Sequence, residues 1–421
     1  MKQPLSLLAL LLVLACQPEK KREVASMNDE ELRAYARELA DQFILTDGHV
    51  DLPYRLKEEG WQINEGIIGT EGVRPVGDMD FLRARKGGLD APFMSIYIPA
   101  SYQKKDAKGN MIGGGKDLAD SLINMVEMIT ARYPDQYALA KTPADIEANT
   151  KAGKISLPMG MENGAPVGKD LANLKYFFDR GIRYITLTHG KNNQICDSSY
   201  DTLRTWNGLS PFGEDVVKEM NRLGIMVDIS HVDDSTFYDV MKMAKAPAIA
   251  SHSSCRHFTP RWQRNMNDDM IKALAKNGGV IQINFGASFL DSTMRNNKMV
   301  DSVRKAIKAK DKNLLSRDEE AQAIIAQFGP HKDFFSDAER VADHIDHVKS
   351  IAGIDHVGIG SDFDGVGDSL PEGLKDVSMY PNLIYVLLKR GYTEEDIQKI
   401  CSGNVFRVWN KVIEVASTST K

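Results

Sequence analysis

Cysteine is scarce in this chain of 421 residues: Cys16, Cys196, Cys255 and Cys401 are the four, scattered without a CxxC pair. That spacing suggests neither a disulfide framework nor a thiolate zinc site, so any metal must be held by imidazole and carboxylate. Positive charge is not in surplus either. The 53 Lys and Arg stand against 58 Asp and Glu, a formal charge of -5 with no basic cluster, which argues against nucleic acid as a partner. Long membrane-spanning runs are missing as well, since the apolar stretch Leu7 to Leu14 falls well short of the roughly 20 residues that cross a bilayer. The first strand pattern is not followed by the glycine-rich phosphate turn of a doubly wound nucleotide-binding sheet. It ends Asp47-Gly48-His49-Val50-Asp51, which offers metal ligands instead.

What the chain does have is an ordinary globular composition, 42% hydrophobic and 26% charged. The length alone suggests two or three domains, but α/β barrels with insertions reach this size as one unit. At the start, a brief basic end and the run Leu7 to Leu14 lead to Val13-Leu14-Ala15-Cys16, which resembles the lipobox of bacterial lipoproteins. Residues 1–16 are therefore set aside as a signal peptide ending in a lipid-bearing Cys16, and 17–30 as a polar tether. A single catalytic domain is expected over 31–410, followed by a polar tail at 411–421. The expected location is the bacterial cell envelope, with the membrane reached through the lipid.

Eight strand patterns follow: Phe43 to Asp51, Phe93 to Pro99, Ile155 to Glu162, Tyr184 to His189, Ile225 to His231, Ala248 to His252, Val280 to Phe285 and His356 to Asp362. Helical patterns lie between them, among them Leu118 to Tyr133, Leu171 to Arg180, Gly213 to Leu223, Asp268 to Lys276, Glu339 to Ile351 and Thr393 to Val405. Strands alternating with helices predict a parallel sheet, and eight such units predict a closed (β/α)8 barrel of the TIM type. Two long βα connections interrupt the repeat, at about Ala100 to Asp145 and at Gly286 to Pro330. Both fall on the face where barrel enzymes carry their active sites, so the second is a candidate lid or dimer contact.

Most of these strands end in a residue that binds metal. His49 and Asp51, two apart on a strand, point to the same side and can grip one cation. Glu162 ends its strand where an unpaired buried charge would be costly, and its two carboxylate oxygens can bridge two ions. His231 and His252 close successive strands, where ends lie about 5 Å apart. With Glu162 shared, these five residues make two sites of three ligands each, with room for water. Imidazole and carboxylate favour zinc, and two ions close together would hold a bridging hydroxide that attacks at neutral pH. His344 and His347, by contrast, lie on an apolar helical stripe with Val341, Ile345 and Val348 and are not expected to bind metal.

The segments DGHVDLP, MGMENG, LTHGKNN, DISHV, ASHSS, RNMNDD and GIGSDFDGV, in order from about Ile44 to Arg407, resemble the membrane dipeptidase family of binuclear zinc hydrolases. The resemblance implies that His49, Asp51 and Glu162 hold one zinc and Glu162, His231 and His252 the other. It further implies that His189 contacts the substrate and stabilises the oxyanion, that Arg264 clamps the substrate's free carboxylate, and that Asp362 shuttles the proton to the leaving amine. Asp364 is the rival for that last role. Dipeptides, including those with a C-terminal D-residue, are the implied substrates, and homodimerisation is an expectation of the family. The loop Lys191 to Ser198 resembles bacterial rather than mammalian members, so side-chain preference does not carry across. Two alternatives stay open: a related amidohydrolase acting on a lactone, cyclic amide or phosphoester, and a catalytically inactive lipid-anchored binding protein.

Overall fold

The structure is a computed structural model that describes residues 24–419 except 62, 64, 72–75, 296, 312–313 and 331–332. The signal segment, Cys16 and the first part of the tether lie outside the described residues. Eight strands form one sheet in chain order: β1 (Leu45–Val50), β2 (Leu89–Tyr97), β3 (Met159–Glu162), β4 (Ile182–Thr186), β5 (Met226–Asp228), β6 (Ile249–Ser253), β7 (Val280–Ile283) and β8 (Val357–Ile359). Every neighbouring pair is parallel. The ring closes at the carboxyl ends, where Asp362 N–H donates to His49 O (3.1 Å) and Asp51 N–H donates to Phe363 O (2.8 Å). The first and last strands are thus tied together at their ligand-bearing ends. Nearly all strand residues are buried, as expected of a parallel sheet covered on one side by helices and filled on the other by side chains.

Two strands differ from the sequence pattern for local reasons. Pro158 splits the expected strand Ile155 to Glu162, because proline has no N–H to give to a ladder. Ile155–Leu157 pairs with Tyr137–Leu139 in a separate two-stranded sheet, and only Met159–Glu162 joins the barrel. β2 begins at Leu89, ahead of the expected Phe93, where the buried Asp90 carboxylate accepts Leu45 N–H (3.0 Å).

Helices also extend into the stretches expected to be tether and tail. A helix, Asp29–Gln42, begins inside the stretch read as tether, started by a capping box between Asn28 and Glu31. The last helix runs from Asn404 to Ser419 and takes in most of the stretch read as a polar tail. Val405, Val408, Trp409 and Val412 recur at helical spacing, and all four are buried. The Trp409 ring lies tilted with its centroid 5.3 Å from that of Phe93, within an apolar cluster that also takes in Tyr184, Met226, Ile249 and Val280, so this helix shares a core with residues of five barrel strands.

The connection after β7 is not a bare excursion. Helices Lys298–Lys310 and Glu319–Phe328 bury Val300, Val303, Ile307, Leu314, Ala321 and Ile325 with Phe334 and Phe335 in a core of their own. Among the described residues no helix is long and apolar enough to cross a membrane.

Candidate active site

The carboxyl ends of the strands converge as the sequence pattern requires, but the backbone bends to bring them there. His231, Asp362, Asp364 and Asn163 all lie in the left-handed region, at φ of 68°, 64°, 65° and 80°. Each such residue costs about 1–3 kcal/mol, and the expense is concentrated where side chains must turn into the barrel mouth.

Glu162 occupies the centre. Its Oε2 lies 3.4 Å from His49 Nε2, while Oε1 lies 3.1 Å from His231 Nε2, 3.3 Å from His252 Nε2 and 3.6 Å from His189 Nε2. Asp51 stands 3.5 Å from the same His49 nitrogen. The two oxygens of one carboxylate therefore face two sets of imidazoles. Three overlapping clusters could each hold a cation: His49 with Glu162 and His252; Glu162 with His189 and His231; His49 with Asp51 and Asp362.

The donor set fits metal ions on its own chemistry. Tyr184 hydroxyl donates to Gly48 O (3.1 Å) and so meets His49 Nδ1 (2.8 Å) with a lone pair. Nδ1 then carries a proton, and Nε2 faces two carboxylates: burial opposes a charge on His49, but Tyr184, Glu162 and Asp51 outweigh it and hold the imidazole well above its usual range, so a cation bound at Nε2 takes the place of a proton there. His49 Nε2 and Asp51 Oδ1 are buried without a hydrogen-bond partner. Such groups are costly unless a cation meets them. His231 Nε2 and His252 Nε2 face each other at 2.9 Å. Burial, then the His49 imidazole, holds His252 down at about 3, and burial with Arg264 and His189 holds His231 well below its usual range. His231 and His252 are thus held neutral, the protonation state that ligation requires.

Asp362 borders this cluster and receives Asn284 Nδ2–H on Oδ2 (2.7 Å). Burial pushes it up to about 7; His49 opposes the shift, and the Asp51 and Glu162 carboxylates reinforce it. Asp364 is turned elsewhere. Its carboxylate pairs with Arg55 Nε (3.1 Å) and accepts Asp78 N–H (2.6 Å). The cleft above is about 620 Å³, and aromatic rings of Tyr54, Tyr97, Tyr200 and Phe289 stand among its walls, the last supplied by the long connection after β7.

Arg264 does not line that cleft. It is buried, donating to Ser253 Oγ (2.8 Å) and His252 O (2.8 Å), with Nη2 3.0 Å from His231 Nε2 and Nε left without a partner. His344 is fully satisfied, with Nδ1 accepting Cys255 N–H (3.0 Å) and Nε2 donating to Leu290 O (3.0 Å).

Comparison with known proteins matches residues 33–421 to the family described as membrane dipeptidase, peptidase family M19. The chain belongs to that family. Dipeptidase 3 of Mus musculus is 32% identical over 396 residues, spanning 93% of this chain and 69% of that protein. The probable dipeptidase PvdM of Pseudomonas aeruginosa superposes with a TM-score of 0.75 at 26% identity, covering 92% of this chain and all of that one. A solved metallopeptidase of the family, dipeptidase AC, gives 0.69 at 25% identity over 88% of this chain and 98% of that one. A member of the membrane dipeptidase family is a peptide-bond hydrolase on a TIM-type barrel and binds metal, and the clustered ligands here fit that.

In this membrane dipeptidase the motif GIGSDFDGV hides a steric constraint at Gly365. A Cβ built there would stand 2.2 Å from Asp51 Oδ2 and 2.3 Å from Asp362 Oδ1. Gly365→Ala must therefore displace both carboxylates. It is expected to cut kcat about a hundredfold or more while leaving the fold intact, since misplacing reacting groups by an ångström has effects of that size. Steady-state kinetics with a parallel thermal melt check it.

Proposed function

We propose that the protein is a binuclear zinc dipeptidase in which Glu162 is shared between the two ions. The observation that carries this reading is the position of Glu162, one oxygen toward His49 and the other toward His231 and His252. His49, Asp51 and Glu162 would hold one zinc, and Glu162, His231 and His252 the other. When bound, the two ions activate the attacking water and polarise the scissile carbonyl.

The chain's own residues do the rest. Asp362, at the edge of the cluster and raised to about 7, takes a proton from the attacking water and returns it to the leaving amine. Asn284 holds Asp362 Oδ2, which fixes the direction of that transfer. His189 lies beside the ligands with its ring 4.8 Å from Tyr97, placed to donate to the carbonyl oxygen as charge develops on it. Arg264 clamps the substrate's terminal carboxylate. Its unpartnered Nε supports this, and holding the substrate's free carboxylate there would limit the enzyme to short peptides. Substrates with a C-terminal D-residue are included. The lipid anchor on Cys16 in a bacterial cell envelope is part of the same proposal, supported by Val13-Leu14-Ala15-Cys16 after an apolar run.

A panel of L,L and L,D dipeptides tests the reading with protein lacking residues 1–16. Release of amino acids that stops with chelator, and is lost when the substrate's C-terminal carboxylate is amidated, is the expected result. Undiminished cleavage of amidated substrates would remove Arg264 from its role, and cleavage indifferent to chelator would remove the metals.

A further inference from the structure

The three imidazoles of the proposed metal ligands are backed in three different ways. Behind His49 stands a neutral chain, the Tyr184 phenol followed by the Gly48 peptide carbonyl. Behind His231 there is no hydrogen-bond partner, since its Nδ1 is buried and unpaired. His252 alone leads to a carboxylate. Its Nδ1 lies 2.8 Å from Ser251 Oγ, and Ser251 Oγ lies 2.6 Å from Asp228 Oδ2.

A hydroxyl has one proton to give, and the ionised acceptor takes it. Ser251 therefore meets His252 Nδ1 with a lone pair, the imidazole proton is fixed on Nδ1, and Nε2 is left bare toward Glu162. Asp228 is itself immobile: fully buried at the end of β5, it accepts Ser230 N–H (3.0 Å) and Ser251 N–H (2.9 Å) on Oδ1. Oδ2 also takes the Thr186 hydroxyl. The carboxylate is thus held by donors from β4, from β6 and from the loop after β5.

We infer that Asp228 and Ser251 are positioning residues that together present His252 Nε2 to its ion. A carboxylate behind an imidazole fixes its tautomer and strengthens it as a donor, and losing such a partner typically weakens metal binding by about 10- to 100-fold. The dependence is acute here because His231, the other imidazole on that ion, has no hydrogen-bond partner on its Nδ1. The inference rests on the two-zinc reading above and adds an asymmetry to it: the ion on His252 depends on the Ser251 hydroxyl, and the ion on His49 does not.

The test is zinc binding by the whole chain, through equilibrium dialysis and competition with a chromophoric chelator, for wild type, Ser251→Ala and Ser251→Thr. Wild type should bind two equivalents. Ser251→Ala should keep one at wild-type affinity and bind the second about 10- to 100-fold more weakly. Ser251→Thr, which retains the hydroxyl, should restore it, and the metal-free melting temperatures report whether each variant folds. Two equivalents bound by Ser251→Ala as tightly as by wild type would overturn the inference. So would a parallel weakening of both ions in Ser251→Ala and Ser251→Thr, which is the signature of general disruption. Fewer than two equivalents on wild type would instead overturn the binuclear reading itself, and the two failures are told apart on the wild-type protein alone.

Discussion

Glu162→Gln is expected to abolish activity, with kcat/KM lower by about ten-thousandfold or more, and at the same time to lower the stability of the metal-free protein. The first effect follows from geometry. A carboxamide has one oxygen where Glu162 has two, and its NH2 group would face the Nε2 nitrogen of His49 on one side or those of His231 and His252 on the other. Either orientation strips one ion of its shared ligand and removes the negative charge that both ions need. Losses of this size accompany removal of a group on which the whole catalytic unit depends. The second effect follows from the same contacts: burial opposes the Glu162 charge, but the imidazoles of His189, His49, His231 and His252 outweigh it and hold the carboxyl well below its usual range, so the ionised side chain stabilises the metal-free fold and a neutral amide forfeits that. Zinc should therefore raise the melting temperature of wild type through its binding free energy and do little for Glu162→Gln. A variant that still binds two ions and hydrolyses dipeptides would show that Glu162 is not the bridge.

The strands and their polar ends were legible in the sequence because burial on both faces leaves a simple pattern: an apolar run, then one residue that burial alone cannot explain. His49, Asp51, Glu162, His231 and His252 all come together as that pattern requires. What the pattern could not carry is direction. Nothing in Asp228-Ile229-Ser230-His231 or Ser361-Asp362-Phe363-Asp364 announces a left-handed backbone, since neither residue is glycine, yet that turn decides that Asp362 borders the ligands while Asp364 pairs with Arg55. Depth was equally hidden: nothing in the sequence around Arg264 announces that its side chain is buried against His252. Support groups such as Tyr184, Ser251 and Asn284 are ordinary strand-end residues whose partners lie far away in sequence. The helix at the end of the chain was hard to read for another reason. The polar stretch after Val412 obscured an apolar spacing that begins at Val405 and is settled only by what it packs on, which is Phe93 and its neighbours.

Asp362→Asn separates the proton shuttle from its rival. The amide oxygen can still accept from Asn284, so the side chain keeps its place, but the free position becomes an NH2 donor that cannot take a proton from water. The expected loss in kcat is about a thousandfold, within the range supplied by a positioned acid or base, with KM nearly unchanged and both ions retained. Asp364→Asn should behave differently. It weakens the contact with Arg55, which has further acceptors in Val76 O (3.0 Å) and Met79 O (3.1 Å) and so is not stranded. It also relieves the buried Asp78 carboxylate, pushed up to about 7 first by burial and then by the charge of Asp364. The two effects oppose each other, leaving a net loss of about 1–2 kcal/mol in stability and a kcat within a few-fold of wild type. Kinetics and melts on the two variants therefore cross: one should lose turnover and keep its stability, the other the reverse. If Asp364→Asn lost turnover instead, the proton would have to travel through the Asp78–Asp364 pair and Asp362 would be an additional ligand of the cluster it shares with His49 and Asp51.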